Sequence, residues 1–255
     1  MKQLTVGSLF SGIGGLDLGL EQAGMQTIWQ VEFDDWARGK LDENFPHTEK
    51  FIDVRDVGQH NLKTVDIICG GFPCQDISVS NTTGHGLDGA RSGLWFEYLR
   101  IIRELRPRYV LIENVANLIT RGLSRVLCDL AASGYDAEWQ TLRASDTELP
   151  HNRKRLFIVA YARSVRPSLR SGEVYGGADF EVRGKGWSNP TELPLNLFGR
   201  SYIPFPKGLC VDNGISFELS EIEAAIKGYG NAVCPPVAKW LGKRIMEHYV
   251  KTQSK

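Results

Sequence analysis

A cysteine, a carboxylate and two arginines each stand beside a short apolar run of this chain. Cys74 follows the run 65–70 by way of Pro73, and Glu113 ends the run 109–113. A cysteine thiolate is a strong nucleophile, and a carboxylic acid can share a proton with a substrate. Arg153 and Arg155 enter another apolar run at alternate positions, so their side chains should point the same way. Taken together these residue types suit nucleophilic catalysis, whereas each one alone fits an inert buried thiol or a solvated charge.

The elements that would position these residues alternate between strand and helix over the first 160 residues. Strands are predicted at 4–9, 27–33, 50–53, 65–70, 109–113, 137–144 and 155–161, and helices at 14–23, 35–44, 94–105 and 123–133. A final helix is predicted at 235–250. This alternation predicts an α/β fold with a mostly parallel sheet and helices on both faces. Ligands bind at the carboxyl edge of such a sheet, which is where Cys74 and Glu113 fall.

Three strand ends indicate an adenosine-containing cofactor. A glycine-rich segment after the first strand, Phe10-Ser-Gly-Ile-Gly-Gly15, allows a sharp turn and close approach of a ligand to the backbone. Glu32 stands 17 residues beyond Gly15, near the spacing at which a carboxylate accepts hydrogen bonds from ribose hydroxyls. Asp53, at the end of the third predicted strand, is placed to accept a bond from an adenine amino group. A dinucleotide enzyme would present the same outline, so these features leave the cofactor open.

Composition narrows the class of protein. The 255 residues include 30 basic and 30 acidic side chains, which argues against binding nucleic acid through overall charge. Residues 149–172 nevertheless carry six basic side chains and no acidic one, a segment suited to phosphates or to a solvated face. The five cysteines form no Cys-x-x-Cys pair, and no apolar run is long enough to span a bilayer. We therefore expect a cytoplasmic, metal-free monomer.

Five motifs occur in a recognisable order: Phe10-Ser-Gly-Ile-Gly-Gly, Pro73-Cys-Gln, Glu113-Asn-Val, Arg153-Lys-Arg155 and Gly230-Asn-Ala-Val233. In this set the chain resembles the cytosine-5 DNA methyltransferase family, in its compact bacterial or bacteriophage form. The resemblance implies a Rossmann-like S-adenosylmethionine-dependent fold with a mixed seven-stranded sheet and a small loop-rich target-recognition region. It divides the chain into a catalytic and cofactor-binding domain at 1–161, the target-recognition region at 162–219 and a returning C-terminal segment at 220–255.

The resemblance also implies a chemistry: transfer of a methyl group from S-adenosylmethionine to carbon 5 of cytosine in double-stranded DNA, through a cysteine adduct on a flipped-out base. The implied catalytic residues are Cys74, Glu113, Arg153 and Arg155. The implied cofactor-binding residues are Phe10, Ser11, Gly12, Gly14, Gly15, Glu32, Asp53, Val54, Pro73, Asn231 and Val233. The implied substrate-binding residues are Gln75, Ser78 and Asn114.

Three alternatives stay open on the sequence. A relative acting on cytosine of transfer RNA would carry the same motifs. A catalytically inactive binding homologue would keep the fold, although it need not keep both Cys74 and Glu113. A nicotinamide-dependent oxidoreductase would account for the first three strand ends and would leave the cysteine, the glutamate and the arginine pair unexplained.

Overall fold

The computed structural model describes residues 2–73, 93–147, 152–165, 228 and 231–253. Within these residues seven strands form one sheet, in the order β3-β2-β1-β4-β5-β7-β6. The strands are Thr5–Leu9 (β1), Gln26–Val31 (β2), Glu49–Phe51 (β3), Ile67–Gly70 (β4), Tyr109–Val115 (β5), Tyr135–Arg143 (β6) and Lys154–Ala162 (β7). The predicted mixed seven-stranded α/β sheet is confirmed.

The strand directions create one ligand-binding edge. Strands β1 to β5 run parallel, and β7 enters between β5 and β6 antiparallel to both. The order reverses between β1 and β4, where Leu9 pairs with Gly70. Such a reversal opens a crevice at the carboxyl ends of the two strands. The segments after Leu9 and after Gly70 therefore lie side by side.

Helices cover both faces of the sheet. They are Gly15–Gln22 (α1), Asp35–Asn44 (α2), Gly93–Leu105 (α3), Leu118–Arg121 (α4), Leu123–Ala132 (α5) and Pro235–Gln253 (α6). Helix α4 was not predicted, because a single turn carries too few residues for a periodic signal. Within the described part of the chain, no helix combines the length and the apolar character needed to cross a membrane.

Two apolar clusters, one on each face, hold the helices to the sheet. On one face α3 buries Trp95, Tyr98 and Ile102, at the helical spacing that makes a single apolar stripe. On the other face α1 and α6 pack together, with Leu20 and Leu241 in the same cluster. Helix α6 thus packs its apolar face onto the core. Its contact with α1 is close, since a Cβ placed on Gly19 would lie 2.4 Å from that of Ala238.

Two predicted strands end earlier than expected. Strand β2 stops at Val31 and β3 at Phe51, so Phe33 and Asp53 lie beyond the sheet. Each strand is followed closely by an aspartate whose side chain caps the next helical turn: Asp34 accepts from the Ala37 N–H, and Asp53 accepts from the Arg55 N–H. Capping requires extended backbone at the aspartate and helical backbone after it, which ends the strand.

Two helical glycines should respond oppositely to the same substitution. Gly19→Ala should lower the free energy of unfolding by about 1–3 kcal/mol, because the new methyl group would overlap Ala238 and the Pro235 carbonyl. Gly39→Ala, in α2 with open space around it, should raise that free energy by roughly 0.5–1 kcal/mol through helix propensity. Urea unfolding of both variants measures the difference, and equal shifts would contradict the close α1–α6 contact.

Candidate active site

The glycine-rich loop after β1 has the backbone that its sequence predicts. Phe10, Gly12 and Gly14 have φ values of 53°, 56° and 85°, in the left-handed region that favours glycine. The loop closes on itself through a hydrogen bond from the Gly14 N–H to the Ser11 carbonyl, 3.0 Å. Gly15 then meets the C-terminal segment, since a Cβ there would lie 2.3 Å from the Val233 carbonyl oxygen. The structure thus brings the first and last predicted motifs into contact.

Glu32 ties this loop to the next strand end. Its carboxylate accepts the N–H of Gly12 at 2.7 Å and the N–H of Asp34 at 2.8 Å. A carboxylate has about four acceptor positions, so Glu32 can still receive two hydroxyl groups. Beside it, Phe33 is 69% exposed and Ile52 is 56% exposed, although both belonged to predicted buried strands. These exposed apolar side chains lie just beyond the ends of the paired strands β2 and β3, beside Glu32, and could cover a flat base.

Asp53 lies two residues beyond β3 instead of ending it, which corrects the prediction. Its side chain caps a 3-10 turn, Val54–Asp56, and forms an ion pair with Arg55. The pKa of Asp53 is lowered, chiefly by the hydrogen bond from Arg55. Val54 is buried in the core. The adenine contact predicted for Asp53 would therefore have to share this carboxylate with Arg55, and contact between Val54 and a cofactor stays a prediction.

The turn after β4 packs directly against Glu113. A Cβ on Gly71 would lie 2.7 Å from the Glu113 Oε2 atom, so the absence of a side chain there makes room for the carboxyl group. Asn114 is buried, and its side-chain N–H donates to the Phe72 carbonyl at 2.9 Å. This hydrogen bond holds the segment that leads to Pro73, and contact between Asn114 and the substrate stays a prediction. Pro73 is exposed at the edge of the described segment.

Three predicted residues, Cys74, Gln75 and Ser78, lie outside the described residues. The same is true of Gly230 and of most of the predicted target-recognition region at 162–219. Their roles stay predictions.

Glu113 is the most perturbed carboxyl group at this edge. It is 9% exposed, and burial raises its pKa from 4.5 to about 7. The guanidinium of Arg155 opposes that rise, with its Nε 3.1 Å from the Glu113 Oε1 atom, and the charge of Arg153 opposes it as well. The two arginines thus face one carboxyl group, as their alternate positions predicted. A carboxyl group with this pKa holds a proton in a sizeable fraction of molecules at neutral pH.

Arg153 also joins the site to the C-terminal segment. Its guanidinium donates to the Asn231 carbonyl at 2.9 Å. Burial raises the pKa of Cys234; the charges of Arg153 and Arg155 lower it, and that of Glu113 raises it further. Cys234 was not singled out from the sequence, although it directly follows the predicted Gly230-Asn-Ala-Val233 motif. The structure therefore places a half-buried thiol, that of Cys234, in the surroundings of Glu113.

Comparison with known proteins decides the family. The model of the C-5 cytosine-specific DNA methylases matches residues 4–185, which include the loop, the turn, Glu113 and the arginine pair. The chain belongs to this family. It is 35% identical over 165 residues to the Type II methyltransferase M.Bsp6I of Bacillus sp. (strain RFL6), covering 62% of this chain and 52% of that one.

A second curated relative and two solved structures are also similar to this chain. The Type II methyltransferase M.HhaI of Haemophilus parahaemolyticus is 31% identical over 157 residues, 60% of this chain and 47% of its own. The chain spans about half the length of these relatives. A prophage-encoded E. coli protein, described as a DNA modification methyltransferase, has a TM-score of 0.56 at 29% identity over 66% of this chain and 49% of that chain. The DNMT2 of Spodoptera frugiperda, at a TM-score of 0.55 and 22% identity, covering 67% of this chain and 54% of its own, shares the fold.

Removing one arginine should move the pKa of Glu113. Arg155→Met deletes the guanidinium that lowers this pKa, so the value should rise above about 7. The control, Arg163→Met, breaks a surface pair with Asp136 and should leave Glu113 unchanged. Carbon-13 NMR of labelled glutamate, assigned with Glu113→Gln, reports the titration. An unchanged or lower pKa in Arg155→Met would contradict this electrostatic arrangement.

The raised pKa of Glu113 also makes the stability of the protein depend on pH. The folded protein keeps a proton on Glu113 that the unfolded chain releases above pH 4.5. The contribution of Glu113 to stability is therefore full below pH 4.5 and declines as the pH rises to about 7. In Arg155→Met this decline should extend to a higher pH, as measured by urea unfolding across the range.

Proposed function

We propose that this chain transfers a methyl group from S-adenosylmethionine to carbon 5 of cytosine in double-stranded DNA. The observation that carries the proposal is the buried Glu113 carboxyl group, with a pKa of about 7, beside the turn that leads to Cys74. A carboxyl group that is partly protonated at neutral pH can give a proton to a ring nitrogen of a base. Family membership supplies the cytosine-specific class of reaction.

Cys74 is the proposed nucleophile. Carbon 5 of cytosine is too electron-poor to take a methyl group directly, and addition of a thiolate to carbon 6 moves electron density onto carbon 5. Glu113 gives its proton to nitrogen 3 as the thiolate adds, which neutralises the charge that develops in the ring. After methylation a base removes the proton from carbon 5, the carbon–sulfur bond breaks as the ring regains its double bond, and nitrogen 3 returns its proton to Glu113. Both faces of a stacked cytosine are blocked, so the nucleotide must first leave the helix.

The described residues fit the proposed cofactor. The glycine-rich loop is partly exposed at Ser11, Gly12 and Ile13, just before α1. Glu32 has acceptor positions left for the two ribose hydroxyls, and Phe33 and Ile52 offer apolar surface to the adenine. When bound, S-adenosylmethionine supplies the methyl group from a sulfonium centre. Val233 and Asn231 would close the pocket from the C-terminal side, because Gly15 packs on the Val233 carbonyl.

Arg153 and Arg155 are proposed to act in two ways. Arg155 holds the Glu113 carboxyl group in place through their ion pair. Arg153 fixes the C-terminal segment through the Asn231 carbonyl and adds positive charge near the base and its phosphates. Gln75, Ser78 and Asn114 remain proposed substrate contacts, with residues 162–219 as the proposed target-recognition region.

Trapping with 5-fluorocytosine tests the nucleophile. Fluorine at carbon 5 cannot leave as a proton, so incubation of a fluorinated duplex with the protein and S-adenosylmethionine should yield a covalent complex on a denaturing gel. Cys74→Ala should trap none, whereas Cys128→Ala, which removes an exposed thiol on α5, should trap like the wild type. Trapping by Cys74→Ala would refute the proposed nucleophile. Labelled methyl incorporation into transfer RNA but not duplex DNA would refute the proposed substrate.

Glu113→Gln tests the acid. It should lower the rate of methyl transfer about 10²–10⁴-fold, because glutamine cannot give a proton to nitrogen 3. Affinity for S-adenosylhomocysteine should stay within about twofold, since Glu113 is not part of the proposed cofactor site. Glu138→Gln, on the edge strand β6, is the matched control and should keep the wild-type rate. Full activity in Glu113→Gln would contradict the proposed role.

A further inference from the structure

A buried carboxylate lies directly beneath the glycine-rich loop. Asp17, in the first turn of α1, is 0% exposed. It accepts hydrogen bonds from the Ser8 hydroxyl at 3.1 Å and from the Gln30 side-chain amide at 2.9 Å. Burial raises its pKa to about 6, so it is charged at pH 8. A buried charge costs stability unless it is well paired, and packing alone would be served by an apolar residue.

The hydrogen bonds run in one direction from the loop to Asp17. The single Ser8 proton goes to the carboxylate, so the Ser8 oxygen is an acceptor for the Ser11 hydroxyl, 3.0 Å away. The other acceptors within reach of that hydroxyl are the carbonyls of Ser8 and Val31, at 3.3 and 3.4 Å, and they also belong to the sheet. The Ser11 proton is therefore directed inward.

We propose that Asp17 is a positioning residue for cofactor binding, because it accepts the Ser8 proton and thereby fixes the orientation of the Ser11 hydroxyl in the glycine-rich loop. This inference rests on the proposed function. With its own proton committed, the Ser11 oxygen can only accept a hydrogen bond from a ligand. That polarity suits the ammonium group in the amino-acid part of S-adenosylmethionine and disfavours an anion.

The neighbouring glutamine makes a conservative variant possible. Gln30 is 0% exposed, and its Oε1 atom has no hydrogen-bond partner while its amide N–H points at Asp17. In Asp17→Asn the new amide oxygen can keep the hydrogen bond from the Gln30 N–H, which turns the new N–H toward the Ser8 oxygen. The packing is then kept, but Ser8 accepts a hydrogen bond at that contact and no longer donates one. Asp17→Asn should therefore fold, and the orientation of Ser11 should relax.

The experiment compares two ligands by calorimetry at pH 8. S-adenosylhomocysteine carries the amino-acid part, whereas methylthioadenosine lacks it. In Asp17→Asn the Kd for S-adenosylhomocysteine should rise about tenfold, with that for methylthioadenosine changed less than about twofold. The KM for S-adenosylmethionine should rise with the former, and kcat at saturation should stay within about twofold. Glu21→Gln, on the same helix, is the control and should bind both ligands like the wild type.

Further variants separate this proposal from damage to the fold. Ser8→Ala removes the donor to Asp17 and should reproduce the ligand-selective loss if Asp17→Asn fails to fold. In a Ser11→Ala background, Asp17→Asn should have no further effect on S-adenosylhomocysteine. Unchanged affinity in both single variants, equal loss for both ligands, or additive effects with Ser11→Ala would overturn the proposal. Wild-type protein that binds neither ligand would overturn the cofactor assignment and this inference with it.

Discussion

The Glu113 carboxyl group is almost fully buried near the end of β5, where it forms an ion pair with Arg155. Burial and the ion pair shift its pKa in opposite directions. Burial favours the protonated acid, and the guanidinium favours the carboxylate. Their balance gives a pKa of about 7 instead of 4.5, which lets one group both hold and release a proton at neutral pH. Gly71 is constrained by the same group, because a Cβ there would meet the carboxylate oxygen.

The antiparallel strand explains how two arginines reach that acid. The other strands beside the crevice present their carboxyl ends at this edge, but β7 runs the opposite way and presents its beginning. Val115 pairs with Arg155, so residues at the entry of β7 meet residues at the exit of β5. Arg153, one residue before the strand, then reaches the Asn231 carbonyl. Strand direction thus joins residues of three distant motifs into one site.

Much of this layout could be predicted from the sequence because it follows from periodicity and from the ends of strands. The glycine-rich loop, Glu32 and Glu113 each follow an apolar run, and the parallel topology brings such ends together. Local capping was harder to predict. The sequence places Asp53 at the end of a strand, and only the hydrogen bond from the Arg55 N–H shows that its side chain caps the next turn. The burial of Asp17 could not be predicted for a different reason. Only tertiary packing places this aspartate, in the first turn of a helix, between Ser8 and Gln30.

We propose that Cys74 and Glu113 act on the same cytosine ring. The sharpest test is a crystal structure of the protein joined to a duplex containing 5-fluorocytosine. We expect a bond from the Cys74 sulfur to carbon 6, with a Glu113 carboxyl oxygen about 2.6–3.2 Å from nitrogen 3. An adduct on another residue, or a Glu113 side chain turned away from the base, would contradict it.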